Sequence, residues 1–104
     1  MEIHKKSQIL SSLSDEQKLC HQSKHLLLEL YRCDREKLND ESALRCILNR
    51  AAKLANATVL NLISNKFEPQ GVTAIALLAE SHISIHTWPE SNYSAVDILS
   101  LIHI

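Results

Sequence analysis

Glycine, proline and aromatic residues are scarce in this chain of 104 residues. Glycine occurs once, at Gly71, where average usage would give about seven, and this excludes a Gly-rich loop that wraps a phosphate group. The three cysteines are odd in number and lack Cys-x-x-Cys spacing. We therefore expect neither a disulfide framework nor a zinc ribbon.

An excess of basic charge and long apolar runs are also missing. Lys and Arg number 11 against 12 Asp and Glu, a formal net charge of -1 at pH 7, which disfavours a nucleic-acid partner. The apolar run at residues 71–79 is far shorter than the ~20 residues that span a bilayer, and the first residues lack the apolar core of a secretion signal. We predict a cytoplasmic protein with no nucleic-acid and no membrane partner.

The remaining composition, 45% hydrophobic and 22% charged residues, is typical of one globular domain. Residues 1–23 are polar and predict an N-terminal extension, and residues 24–104 predict the domain itself. The apolar run at residues 25–31 predicts a buried strand. Residues 39–41 (Asn-Asp-Glu) predict the N-cap and acidic first turn of a helix, which is expected to end at Asn56 in the left-handed conformation. Its apolar stripe comprises Leu44, Ile47, Leu48, Ala51 and Ala55.

Four further segments predict strands. Residues 72–79 are apolar at all but one position, which is typical of a central strand covered on both faces. Alternation in residues 81–88 places two isoleucines on one face, and two histidines with Ser84 on the other. Residues 57–64 and 93–102 complete the set. The order β-α-β-β-β-β with short connections predicts an α+β fold, an antiparallel sheet with its helix packed on one face.

Chemically reactive side chains concentrate in residues 79–90, which hold two carboxylates, two imidazoles, three hydroxyls and the only tryptophan. His82 and His86 are not expected to share a metal, since four residues of strand span ~13 Å and the ligands of one metal lie within a few ångströms of each other. No nucleophile elbow of a serine hydrolase is present. The residues alone leave two interpretations open, solvated strand residues or a functional site.

A segment that resembles the self-cleavage motif of the prokaryotic S-adenosylmethionine decarboxylases spans residues 80–90, with the sequence ESHISIHTWPE. The resemblance covers residues 24–98 and includes the segments at 25–31, 67–72 and 93–98. An unbroken match of this length at an unusual chemical site is more specific than a short motif. It implies the fold of one half of an α/β sandwich.

The family's chemistry implies a cofactor that the chain makes from itself. The Ser81 hydroxyl would attack the Glu80 carbonyl, and β-elimination would leave a β chain ending at 80 and an α chain starting at 81 with a pyruvoyl group. That ketone forms a Schiff base with the substrate amine and accepts the electrons left by CO2. By the same resemblance His86 is the proton donor in processing and Thr73 assists it. Ser81 and His86 fall on opposite faces of an ideal strand, so a bend near the cleavage site is expected.

Three further residues correspond to the family's substrate site. By this resemblance Phe67 stacks on adenine with His86 on its other side, Glu90 accepts hydrogen bonds from ribose hydroxyls, and Glu29 contributes from the first matched strand. The implied reaction is decarboxylation of S-adenosylmethionine, which supplies the aminopropyl donor for spermidine synthesis. The resemblance also implies a homodimer of cleaved αβ protomers.

The last residues depart from the family pattern. Leu101 stands where the family has a cysteine that protonates the decarboxylated intermediate, and general acid catalysis of this kind contributes about 10²–10⁴-fold in rate. Family members continue past this point, so the resemblance implies a C-terminal truncation. Two alternatives stay open: a non-catalytic or truncated homologue, and a pyruvoyl-dependent decarboxylase of another amino acid such as arginine or ornithine.

Overall fold

The structure, a computed structural model, describes residues 2–9, 23–79 and 81–101. The elements in chain order are β1 (Glu2–Ile9), β2 (Ser23–Tyr31), α1 (Arg35–Leu38), α2 (Glu41–Leu54), β3 (Val59–Lys66), β4 (Val72–Leu78), β5 (Ser81–Trp88), a 3-10 turn (Pro89–Ser91) and β6 (Tyr93–Leu101). The six strands form one antiparallel sheet in the order β1-β2-β6-β5-β4-β3. The predicted α+β class, an antiparallel sheet with its helix on one face, is confirmed. No helix within the described ranges is long and apolar enough to cross a bilayer.

Local hydrogen bonds fix both ends of α2. The Asp40 carboxylate accepts the backbone N–H of Ala43 at 3.1 Å, which satisfies one of the unpaired donors of the first turn. At the other end Asn56 has φ 58°, and the N–H of Ala57 donates to the Ala52 carbonyl at 2.9 Å. This is a Schellman arrangement, and it confirms the left-handed conformation predicted for Asn56.

The core lies between α2 and one face of the sheet, mainly over β3 and β4. The buried positions of the helix lie one turn apart: Leu44, Leu48 and Ala52. The wider stripe predicted from the sequence is wrong, because Ile47 is 55% exposed and Ala51 and Ala55 are exposed as well. The flank of the helix meets the sheet through polar contacts instead, since the side chains of Glu41 and Arg45 both hydrogen-bond to Ser64 of β3.

The sheet face opposite α2, here called the open face, carries no helix in the described part of the chain. In β4, buried residues alternate with exposed or half-buried ones, and Leu77 on the open face is 46% exposed. The prediction that this strand is covered on both faces is wrong, because α2 provides a single layer. In β5 the predicted alternation is confirmed. Ile83 and Ile85 are buried in the core, while His82 and His86 pair with open-face residues of β4.

Residues 2–9, inside the predicted N-terminal extension, form an edge strand for which the sequence shows no signal. β1 pairs with β2 along its whole length, from Glu2 opposite Tyr31 to Ile9 opposite Lys24. Its sequence, EIHKKSQI, lacks the alternation of apolar and polar residues. Charged residues are typical of edge strands, where they disfavour pairing with a further chain.

Candidate functional site

A cleft at one end of β4 and β5 brings together four of the residues that the sequence singled out. It has a volume of about 380 Å³ and is lined by Phe67, Gln70, Gly71, Thr73, His86, Thr87, Trp88 and Glu90. Phe67 is 49% exposed and Trp88 is 42% exposed, so their rings are accessible to a ligand. We name it the Phe67 cleft.

The loop that carries Phe67 is fixed by hydrogen bonds and by a glycine. The Phe67 N–H donates to the Gly71 carbonyl at 2.8 Å, and the Gly71 N–H donates to Oδ1 of Asn39 at 2.9 Å. Gly71 has φ 110°, and a Cβ at this position would lie 3.2 Å from the Thr87 carbonyl oxygen. Glycine is therefore required here. The Glu68–Pro69 peptide bond in the same loop is cis.

The buried hydroxyl of Thr87 ties this loop to the rest of the fold. It accepts the Val72 N–H at 2.8 Å and donates to the Leu38 carbonyl at 2.7 Å. The first residue of β4, the end of β5 and the end of α1 are thus joined through one side chain. The wall of the Phe67 cleft is consequently fixed by hydrogen bonds of a buried hydroxyl group that has both a donor and an acceptor as partners.

His86 lies beside Thr73 in the row where β5 pairs with β4. The Thr73 hydroxyl oxygen and Nδ1 of His86 are 3.0 Å apart. When the hydroxyl donates to Nδ1, the proton of the neutral ring is on Nε2. Nε2 is then the ring nitrogen that can donate a hydrogen bond to a further group. The structure therefore brings together the two residues to which the sequence assigned the processing proton and its assistance.

A second cleft, of about 270 Å³, contains Glu29 and shares His86 with the first. The Tyr31 hydroxyl donates to Oε2 of Glu29 at 3.4 Å, and Tyr93 also hydrogen-bonds to this carboxylate. Burial raises the pKa of both tyrosines above the ordinary value of 10.0, and the negative charge of Glu29 raises the pKa further. Both phenols therefore stay protonated and donate to the carboxylate.

A row of aromatic rings runs across the open face from β1 to β5. The ring centroids are 4.9 Å apart for His4 and Tyr31, 5.1 Å for Tyr31 and Tyr93, 5.3 Å for Tyr93 and Trp88, and 6.5 Å for Trp88 and His86. These spacings suit tilted and edge-to-face contacts. The row joins the two clefts into one continuous aromatic wall.

Asp97 of β6 contacts two imidazoles from the neighbouring strands. Its Oδ1 contacts Nε2 of His25 in β2, and its Oδ2 lies 3.6 Å from Nε2 of His82 in β5. The three side chains are 31% or 32% exposed. We name them the His25–Asp97–His82 cluster. Within residues 2–9, 23–79 and 81–101 no group of three His, Cys, Asp or Glu side chains is arranged to hold a metal ion.

The structure does not bring Ser81 and His86 together. Ser81 is the first residue of β5, half-buried, and pairs with Ser100 of β6. Five positions along a strand correspond to ~17 Å, and odd spacing puts the two side chains on opposite faces. The sequence predicts a bend near the cleavage site, but β5 keeps regular pairing with β6 from Ser81 to Trp88. His86 therefore cannot transfer a proton to Ser81 within this arrangement of one chain.

Two positions that the sequence singled out are described in part or not at all. Glu80 lies outside the described residues. The backbone of Leu101 ends β6 and pairs with Ser23, and its side chain lies outside the described part. The roles assigned to Glu80 and Leu101 stay predictions.

Four residues of the site escaped the sequence analysis, namely Tyr31, Tyr93, His25 and Asp97. Alternation along the first matched strand places His25, Glu29 and Tyr31 on one face. The sequence therefore could have predicted that His25 and Tyr31 lie on the same face as Glu29. Their partners on β6 follow from the sheet order, in which β2 and β6 are neighbours. That adjacency joins segments far apart in the chain and is not encoded in any local pattern.

Comparison with known proteins agrees with the residues of the site. A family model described as S-adenosylmethionine decarboxylase matches residues 24–103. The chain is 65% identical over 77 residues to the S-adenosylmethionine decarboxylase proenzyme of Prochlorococcus marinus, an alignment of 74% of this chain and 62% of that protein. It is 48% identical over 80 residues to the proenzyme of Methanococcus aeolicus, which aligns 77% of this chain and 68% of that protein.

A solved structure is similar as well. The crystal structure of the adenosylmethionine decarboxylase from Aquifex aeolicus superposes with a TM-score of 0.73 and 37% sequence identity, over 80% of this chain and 68% of that chain. The chain spans only 62% and 60% of the lengths of the Prochlorococcus and Synechococcus relatives that it matches. Strand β1 precedes the region that the family model covers.

Proposed function

Because the chain belongs to the S-adenosylmethionine decarboxylase family, we propose that it is a self-cleaving proenzyme whose product decarboxylates S-adenosylmethionine. The decarboxylated product then serves as the aminopropyl donor for spermidine synthesis. The observation that carries the proposal is the Phe67 cleft, where an aromatic ring, a hydroxyl–imidazole pair and a carboxylate from the family's motif positions line one cavity. The proposal includes a cytoplasmic location and no nucleic-acid or membrane partner, as the composition predicts.

Self-cleavage starts at Ser81. Its hydroxyl oxygen attacks the carbonyl carbon of Glu80, the peptide C–N bond breaks, and an ester forms while the amine of residue 81 becomes free. Removal of the Cα proton of residue 81 then expels the Glu80 carboxylate by β-elimination. The resulting enamine gains a proton at carbon to become an imine, and water hydrolyses the imine to ammonia and a ketone.

The start of β5 suits a pyruvoyl group at position 81. Ser81 is the first residue of its strand and is held by pairing with Ser100, so cleavage before it creates a strand terminus and leaves the strand intact. Once present, a pyruvoyl group supplies a ketone that accepts the electron pair released with CO2. His86 and Thr73 are the chain's own proton-handling residues, as their 3.0 Å contact supports.

Substrate recognition rests on the two clefts. In the Phe67 cleft, the Phe67 ring stacks on adenine and Glu90 accepts hydrogen bonds from the ribose hydroxyls, and stacking of this kind is worth about 1–3 kcal/mol per base. In the second cleft, Glu29 lies among aromatic rings, an environment that favours a cation. The positive sulfonium of S-adenosylmethionine matches it.

A homodimer completes the proposal. The open face exposes apolar side chains, including Ile63 at 55% and Leu77 at 46%, which a second copy would bury.

The test is the intact mass of the purified chain under denaturing conditions. We expect two chains, residues 1–80 and 81–104, the shorter lacking a free amine at its first residue. Ser81→Ala should stay whole, and Ser84→Ala, which changes a buried serine on the same strand, should cleave normally. A wild-type chain that stays whole on prolonged incubation would contradict the proposal. Release of labelled CO2 from S-adenosylmethionine, arginine and ornithine then identifies the substrate.

A second candidate is a homologue that is cleaved but turns over little or not at all, and Leu101 favours it, because leucine cannot transfer a proton. Leu101→Cys restores the thiol that the family resemblance places there. If the missing acid limits the rate, this variant should release CO2 about 10²–10⁴-fold faster than the wild type. Equal rates for the two proteins would show that Leu101 is not the limiting difference.

A further inference from the structure

The His25–Asp97–His82 cluster lies at the end of β5 where the proposed cleavage occurs. His82 is the residue next to Ser81 and would become the second residue of the new chain. We propose that Asp97 is a positioning residue, which holds the new terminus of β5 in the sheet after cleavage. This inference rests on the proposed self-cleavage.

The new terminus is weakly held by the backbone alone. His82 pairs with Leu77 of β4 and with Leu99 of β6, whereas Ser81 has a pairing partner only in β6. Cleavage removes the covalent link from residue 80, so the first residue of β5 becomes a free end with one paired side. Chain ends of this kind open most readily unless side chains tie them down.

Asp97 makes two such side-chain contacts, one to each of the two chains that cleavage would produce. Its Oδ2 lies 3.6 Å from Nε2 of His82, a contact within the short chain that begins at residue 81. Its Oδ1 contacts Nε2 of His25, which belongs to the long chain that ends at residue 80. One carboxylate therefore holds the second residue of the new terminus and links it to the other fragment. About two thirds of each side chain is shielded from water, which strengthens such contacts relative to fully exposed pairs.

The experiment is amide hydrogen exchange, followed by NMR, on the cleaved wild-type protein and on cleaved Asp97→Asn, which keeps the shape and removes the charge. At a pH at which His82 is protonated, and therefore charged, we expect the amides of His82 and Ile83 to exchange about two- to fivefold faster in the variant, the range for partly exposed charged pairs. In the uncleavable Ser81→Ala background, where the peptide bond before residue 81 stays intact, the same substitution should change these rates less.

A second variant keeps the inference open to refutation if Asp97→Asn folds poorly. His82→Gln should accelerate the same amides, and the double variant should be no faster than Asp97→Asn alone, because both substitutions remove the contact between residues 82 and 97. Equal exchange in cleaved wild type and cleaved Asp97→Asn overturns the inference alone. A variant that fails to cleave also overturns it, since Asp97 is inferred to act after cleavage. A wild-type chain that stays whole contradicts the proposed function and this inference with it.

Discussion

Glu29 has two tyrosines as neighbours that the sequence analysis did not assign to the site. It lies half-buried on the open face, and the hydroxyls of Tyr31 and Tyr93 both hydrogen-bond to it. Burial and then the charge of Glu29 raise the pKa of each tyrosine above 10.0. The neutral phenol is therefore the form that the folded state favours.

Replacing the charge tests this arrangement. In Glu29→Gln the pKa of Tyr31 and Tyr93 should move back toward 10.0, and the part of the shift due to burial should remain. A titration of tyrosinate absorbance measures both midpoints, and Tyr31→Phe assigns them. The tyrosines should also stabilise the wild-type fold fully below their unfolded pKa of 10.0, and this contribution should be lost as the pH rises through the higher folded values. Midpoints that stay unchanged in Glu29→Gln would refute the role of the charge.

The family resemblance predicted the residues of the Phe67 cleft better than those of the rest of the site. Thr73, His86 and Glu90 lie near each other because β4 and β5 are consecutive strands with a regular register. The cluster around Asp97 and the tyrosines around Glu29 needed the pairing of β2 with β6. Contacts between strands far apart in sequence depend on the whole fold, which a single chain's local pattern does not specify.

Helix α2 was predicted correctly as a helix, but the set of its residues predicted to be buried was wrong. Its start, its end and its spacing of apolar residues follow from local chemistry. Which of its apolar residues are buried depends on what packs beside it. The prediction assumed contact across a broad stripe, whereas the residues of this helix that are buried form one row, Leu44, Leu48 and Ala52. The single helix also explains why β4 is covered on one face only. Strand β1 was not predicted because it is a charged strand that forms only by pairing with β2, and its sequence has no alternation of apolar and polar residues.

A pair of adjacent substitutions tests the packing of α2. Leu48 is 3% exposed and Ile47 is 55% exposed. Leu48→Ala should lower the free energy of unfolding by about 2–5 kcal/mol through the lost packing and the cavity, and Ile47→Ala should change it by no more than about 0.5 kcal/mol. Urea unfolding measures both. Equal losses would mean that α2 is rotated relative to the sheet.

At the scale of the whole molecule, the open face is the surface at which the proposed dimer would form. It carries the aromatic row, both clefts and exposed apolar side chains of β3 and β4. A face that is both apolar and functional is typical of a subunit interface. The site and the proposed dimer contact therefore share one surface.

Sedimentation velocity can test the proposed dimer with two charge substitutions. Leu77→Glu places a carboxylate on the open face and should convert the dimer to a monomer, because an unpaired charge would be buried at the contact. Leu54→Glu changes a residue that is 84% exposed at the end of α2, on the other side of the sheet, and should leave the dimer intact. Dissociation by both variants, or by neither, would place the contact elsewhere.

The order of the strands has a consequence for the cleaved protein. β5 and β6, which follow the proposed cleavage site, occupy the middle of the sheet, with β2 on one side and β4 on the other. The two strands of the shorter product would thus lie between two parts of the longer product and pair with it on both sides. Withdrawal of the shorter product would leave the longer one with two separate strand pairs, β1 with β2 and β3 with β4. The two products should therefore stay together as a single particle in native mass spectrometry and come apart only when the protein unfolds.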